Sequence, residues 1–131
     1  MKLEDQCISL ELAKRLKELG VKQESIFVHL DCGVGKDIWL YSQAVHCYKP
    51  HEMTSAFTAG ELGEMLPFRI FYNERWHGIE MVKGSCEYLI TYRFGLSQYP
   101  RLVIFDKTES NARALMLIHL IEQGLVKVKD E

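Results

Sequence analysis

The last apolar stretch of the chain constrains the fold more than any other feature. Thr108 is placed to cap a helix running from about Glu109 to Gln123, and Gly124-Leu125 is placed to stop it. Along it, Ala112, Ala114, Leu115, Met116, Leu117, Ile118, Leu120 and Ile121 cover most of the circumference. A helix with one apolar stripe is satisfied by one neighbour. This one needs cover on more than one side: a sheet, and then another helix or a partner chain. Its most apolar run, Ala114 to Ile118, is far shorter than the roughly 20 residues that span a bilayer, so no membrane association is expected.

The rest of the chain offers the expected partners. Ser9 can cap a first helix in which Leu12, Leu16 and Leu19 form one stripe opposite Lys14, Arg15, Lys17 and Glu18, and Gly20-Val21 can end it. From Ser25 the period drops to two. Ile26, Val28 and Leu30 alternate with Phe27, His29 and Asp31, and Ile38 and Leu40 alternate with Trp39 and Tyr41, across a turn-rich segment from Asp31 to Asp37. That pattern predicts a β-hairpin. Ala44 to Met53 has no clean period and contains Pro50, which predicts a loop or irregular extension.

Thr58 and Glu61 stand in the Thr-x-x-Glu relation of a capping box, with Phe57 placed to staple onto Leu62. A short helix starts there, limited by Pro67. Gly60 and Gly63 weaken it by about 1 kcal/mol each relative to Ala, which points to close packing instead of autonomous stability. Phe68–Tyr72, Ile79–Val82, Tyr88–Arg93 and Leu102–Phe105 are β-rich runs separated by Gly and Pro and predict a meander.

With 131 residues and 47% hydrophobic composition, the chain can bury about two-thirds of its extended surface in one core. A single α+β domain, 1–131, is therefore expected: an antiparallel sheet of about five to six strands, the N- and C-terminal helices packed on one face, and a short third helix. The formal charge of −2 is too balanced for a sequence-independent polyanion binder. The acidic start Met1-Lys2-Leu3-Glu4-Asp5 does not look like an export signal, so a cytoplasmic location and four reduced thiols at Cys7, Cys32, Cys47 and Cys86 are expected.

Three blocks in this order, Ser9 to Ser25, Ser55 to Pro67 and Thr108 to Val126, give the chain a likeness to known sequences. It resembles a widespread group of small proteins of unknown function encoded in bacteriophages and prophages. The resemblance implies a phage or prophage origin and brings no site residue with it.

Several clusters have the residue types that chemistry uses. Gly33-Val34-Gly35-Lys36-Asp37 has the glycines and lysine of a phosphate-cradling loop, but Leu30 stands where its first Gly belongs, Asp37 replaces the hydroxyl and a strand follows, so a hairpin turn is the better reading. His46, Cys47 and His51, with Cys86 at a distance, are metal-capable but lack the second tight ligand pair of a zinc site. His29, Asp31 and Cys32 could be drawn as thiol, imidazole and carboxylate, yet near neighbours on one strand do not converge as a catalytic set must. No catalytic residue, metal ligand or cofactor is therefore assigned, and the balance is against an enzyme.

Cations and aromatics interleave along the meander: Arg69, Tyr72, Arg75, Trp76, Lys83, Tyr92, Arg93, Phe94 and Arg101. Such interleaving suits single-stranded nucleic acid, whose bases stack on aromatics, and equally suits any half-exposed sheet. Trp39, Tyr41, Tyr48, Phe57, Trp76 and Tyr99 are of the types that dominate protein interfaces. The expected function is a non-catalytic accessory protein that binds a protein partner, with Trp39, Tyr41, Arg69, Tyr72, Trp76, Tyr92 and Arg93 as its interaction surface and self-association through surplus helix surface as a further expectation. The alternative is a single-stranded nucleic-acid-binding module. A small metal- or thiol-dependent hydrolase comes third.

Overall fold

The computed structural model describes residues 3–30, 38–72, 74–93 and 102–128. In chain order the elements are α1 (Leu3–Gln6), α2 (Leu10–Glu18), β1 (Phe27–Leu30), β2 (Ile38–Leu40), α3 (Tyr41–Ala44), a 3-10 turn at Pro50–Glu52, β3 (Met53–Ser55), α4 (Ala59–Met65), β4 (Arg69–Tyr72), β5 (Arg75–Lys83), β6 (Tyr88–Arg93), β7 (Leu102–Asp106) and α5 (Glu109–Glu122). The protein is α+β and every strand pairing is antiparallel.

The strands do not form the single sheet of five to six that their number suggests. They divide into a three-stranded sheet in the order β2-β1-β3 and a four-stranded meander β4-β5-β6-β7. The reason is local. Both edges of β1 are taken, by β2 (Val28 opposite Trp39) and by β3 (Val28 opposite Ser55), and α4 then carries the chain away before β4 begins. The expected loop between Ala44 and Met53 instead contains the 3-10 turn and leads directly into β3.

The helices are also distributed differently from the expectation. α5 lies on β6 and β7, whereas α2 packs on α5 and on β3, so the terminal helices do not share one face of one sheet. This is how the broad apolar circumference of α5 is covered, by β6 and β7 on one side and by α2 and α4 on the others. Ile8, Ala13, Leu16, Phe57, Leu62, Ile70, Ile90, Tyr92, Met116, Leu117 and Leu120 meet in the resulting core. A separate, smaller cluster under the three-stranded sheet holds Val28, Leu30, Ala44 and Met53, with Trp39 and Tyr48 against it.

Capping chemistry fixes the helix ends where the sequence places them. Ser9 Oγ accepts the Leu12 N–H, Thr58 Oγ1 the Glu61 N–H and Thr108 Oγ1 the Asn111 N–H. Glu61 does more than complete its capping box: Oε1 also accepts from Ser25 Oγ at 2.8 Å and Oε2 from the Ile26 N–H at 3.1 Å. One carboxylate thus joins α4 to the approach to β1. Gly63 leaves room for the Arg113 guanidinium, whose Nη1 donates to Ala59 O at 2.7 Å; a Cβ there would displace that side chain.

Candidate interaction surface

The four-stranded sheet has two unlike faces, and the register sorts them. Side chains alternate along a strand, so Ile70, His77, Ile79, Met81, Ile90, Tyr92, Leu102 and Ile104 share the face toward α5. On the other face stand Arg69 and Phe71 from β4, Trp76, Glu80 and Val82 from β5, Leu89, Thr91 and Arg93 from β6, and Val103 and Phe105 from β7. Phe71 and Trp76 are each 54% exposed, Val82 45% and Phe105 57%.

These side chains form a connected surface. Phe71 and Trp76 are opposed across the β4–β5 pair with ring centroids 5.3 Å apart, and the Arg69 guanidinium lies 4.6 Å from the Trp76 ring centroid. Arg93 Nη1 reaches Glu80 Oε2 at 3.3 Å. Thr91 Oγ1 and Arg93 Nε are buried and find no hydrogen-bond partner among the described residues. Arg69 makes no ion pair among the described residues.

The residues expected to form one surface are therefore separated. Arg69, Trp76 and Arg93 do lie together on the outer face. Tyr92 does not: it is fully buried on the opposite face, where its hydroxyl donates to Pro67 O at 2.7 Å, and burial raises its pKa. Trp39 and Tyr41 belong to the other sheet. Trp39 packs edge-on against Tyr48 at 5.7 Å in the small core, while Tyr41 is exposed at the start of α3. Phe57 is wholly buried in the main core. The side chain of Tyr72, together with Phe94, Tyr99 and Arg101, lies outside the described residues.

Phe71 and Phe105 were absent from the expected surface. Phe71 could have been placed by alternation with buried Ile70. Phe105 could not, because Leu102-Val103-Ile104-Phe105 is apolar throughout and shows no alternation.

The candidate chemical clusters do not assemble into a reactive site among the described residues. His29 is buried on β1 with Nε2 2.8 Å from Ile8 O, and burial lowers its pKa against the opposing effect of that bond. Its sequence neighbours Asp31 and Cys32, and the glycine-rich segment Gly33 to Asp37, lie outside the described residues. Cys7 is buried, and burial, then the Glu61 charge, push its thiol up to about 11, which makes it inert at neutral pH. Cys47 and Cys86 are exposed free thiols, one after α3 and the other in the β5–β6 turn. The side chain of His51 is outside the described residues, and no three of the described His, Cys, Asp and Glu side chains come close enough to hold a metal ion.

No described helix is long and apolar enough to cross a membrane. Neither the protein-family models, nor the curated proteins, nor the solved structures contain a match to this chain.

Proposed function

We propose that the protein is a non-catalytic accessory factor of the phage or prophage type that binds a protein partner across the outer face of the four-stranded sheet. The observation that carries this reading is the exposure of Phe71, Trp76, Val82 and Phe105 on a sheet whose other face is backed by α5. Exposed apolar groups gathered on a rigid support are a feature of binding surfaces. Four strands about 4.8 Å apart, each about five residues long, offer a flat area of roughly 300 Å². That is less than half of the roughly 800 Å² that each partner contributes to a standard interface. The partner it suits is a short apolar segment, bound with modest affinity and carrying an acid to meet Arg69.

The phage origin rests on the sequence resemblance alone. A second reading, single-stranded nucleic acid, is favoured by Arg69 stacked on Trp76 beside Phe71. It is the weaker reading because Glu80 occupies Arg93 and places an acid in the middle of the face.

The test compares wild type with a Trp76→Ser/Phe105→Thr variant. A bacterial protein captured by wild type is identified, purified and titrated against both forms. A complex of defined stoichiometry, weakened tenfold or more in the variant, supports the proposal, and equal affinity overturns it. Salt-sensitive oligonucleotide binding that disappears in Arg69→Glu/Arg93→Glu would move the face to the second reading.

A further inference from the structure

A second surface feature lies on the opposite side of the meander from the aromatic face. Where α5 begins, a cavity of about 520 Å³ opens between Lys107–Ser110, the first turn of α4, Tyr88 and Asp5. Its volume is that of a small-molecule site. Ser110 lines this cavity and is 1% exposed, yet its hydroxyl finds no hydrogen-bond partner among the described residues. A buried hydroxyl left without a partner loses its bonds to water with nothing in return, so a position of this kind calls for a ligand or ordered water.

The surroundings specify the ligand's charge. The first-turn N–H groups of a helix have no intrahelical acceptor and carry the positive end of its dipole. At α5 the Asn111 N–H is taken by Thr108 Oγ1 and the Thr108 N–H by Asp106 Oδ1, which leaves those of Glu109 and Ser110 as the donors next to the unpartnered hydroxyl. Lys107 stands at the rim. On the α4 wall the Thr58 and Glu61 N–H groups are engaged in the capping box, and the first-turn N–H groups of Ala59 and Gly60 belong to the cavity lining.

Two acids also line the cavity and limit the charge it can accept. The Glu109 carboxylate is held by Arg113 Nη2 at 3.2 Å, which offsets its charge, whereas Asp5 is an exposed lining residue. Against Asp5 the positive influences are the start of α5 and Lys107. This balance suits a single negative charge better than a multiply charged group.

We propose that this cavity binds a small molecule by a terminal oxyanion, a carboxylate or a singly charged phosphate, held by Ser110 Oγ and the Glu109 and Ser110 N–H groups with Lys107 as the rim cation. The inference is independent of the aromatic face and would stand if that face bound nothing.

The experiment is an amide-resolved NMR titration of the full chain with acetate and with inorganic phosphate, each against potassium chloride of equal ionic strength. Saturable shifts centred on Glu109 and Ser110, at least fivefold weaker in Ser110→Ala and in Lys107→Gln, are expected from one or both anions. Saturation by acetate alone assigns the site to carboxylates, and saturation by phosphate alone assigns it to phosphates. Ser110→Ala removes a hydroxyl that has no partner, so the variant should fold at least as well as wild type. Shifts no different from those in chloride, or equal binding by Ser110→Ala, would overturn the proposal.

Discussion

The two sheets of this protein are built on different physics. The four-stranded sheet rests on a large apolar core, in which Ile70, Ile90 and Tyr92 meet Met116, Leu117 and Leu120 of α5. Among the described residues the three-stranded sheet has a small cluster of its own, buried Val28, Leu30, Ala44 and Met53 with Trp39 and Tyr48 against them, and its opposite face presents buried His29 and Thr54, paired across β1 and β3. Polar links hold it to the rest. Glu61 binds Ser25 and Ile26, the Gln23 side chain accepts the Ser55 N–H at 2.8 Å, His29 bonds Ile8 O, and Lys17 Nζ donates to Met53 O at 3.0 Å. Non-directional burial supports one sheet, while directional bonds to named atoms position the other. The first should respond to lost volume and the second to lost partners and to pH.

The largest expected effect is the same substitution made in both regions. Leu120→Ala, in the main core, should cost about 4 kcal/mol, and Leu30→Ala, in the small cluster, about 2 kcal/mol, because fewer fixed neighbours surround the smaller cavity. Chemical denaturation with coincident near- and far-ultraviolet circular dichroism measures both. Equal costs would break the comparison.

Next is Glu61→Gln, which keeps the shape but removes the charge from an acceptor serving Thr58, Ser25 and Ile26 together. A loss of about 2–3 kcal/mol is expected, since hydrogen bonds to charged groups contribute about 1.5–3 kcal/mol. Amide exchange should accelerate first at Ile26 and along β1, ahead of β5 and β6. Uniform acceleration would show that Glu61 supports the whole fold and not the junction.

How much of this contrast the sequence could show follows from its range. Capping is local, so Ser9, Thr58 and Thr108 mark helix starts within a few residues, and β6 carries its own boundaries at Tyr88 and Arg93. Sheet membership is not local. Nothing within Met53-Thr54-Ser55 says that it pairs with β1 across two dozen residues, and so closes the first sheet before the second begins. The aromatic surface fails for a different reason. Tyr92 and Arg93 are adjacent on one strand and must face opposite ways, so placing both outside contradicts the alternation that predicted the strand. Trp39 and Tyr41 fail by distance, because composition alone does not reveal that they sit on the other sheet.

A smaller effect comes from His29. Burial lowers its folded pKa below the ordinary value of 6.5, so the unfolded chain takes up a proton first as the pH falls. The associated stability is fully present above about pH 6.5 and is lost progressively as the pH drops toward the folded value. Melting temperatures measured from pH 7.5 downward should fall more steeply in wild type than in His29→Gln. The exchange losses should concentrate in β1 and β3. Parallel pH profiles for the two proteins would remove His29 from the contrast.

The smallest effect, that of Phe105→Thr set against Ile90→Thr, separates the two faces of the larger sheet and decides whether the aromatic surface serves the fold. Ile90 and Phe105 lie on neighbouring strands, but Ile90 is wholly buried toward α5 while Phe105 stands 57% exposed on the outer face. Ile90→Thr puts a hydroxyl into the core and should cost well over 2 kcal/mol. Phe105→Thr keeps a β-favouring residue at an exposed position, with no helix or sheet packed on that face among the described residues, and it should change stability by no more than about 0.5 kcal/mol. Thermal melts of the pair give the answer directly. If Phe105→Thr cost as much as a core substitution, the outer aromatics would be structural, and the proposed binding face would lose its support. If the cost is near zero, the fold does not need Phe105, and the exposed ring is available for a partner.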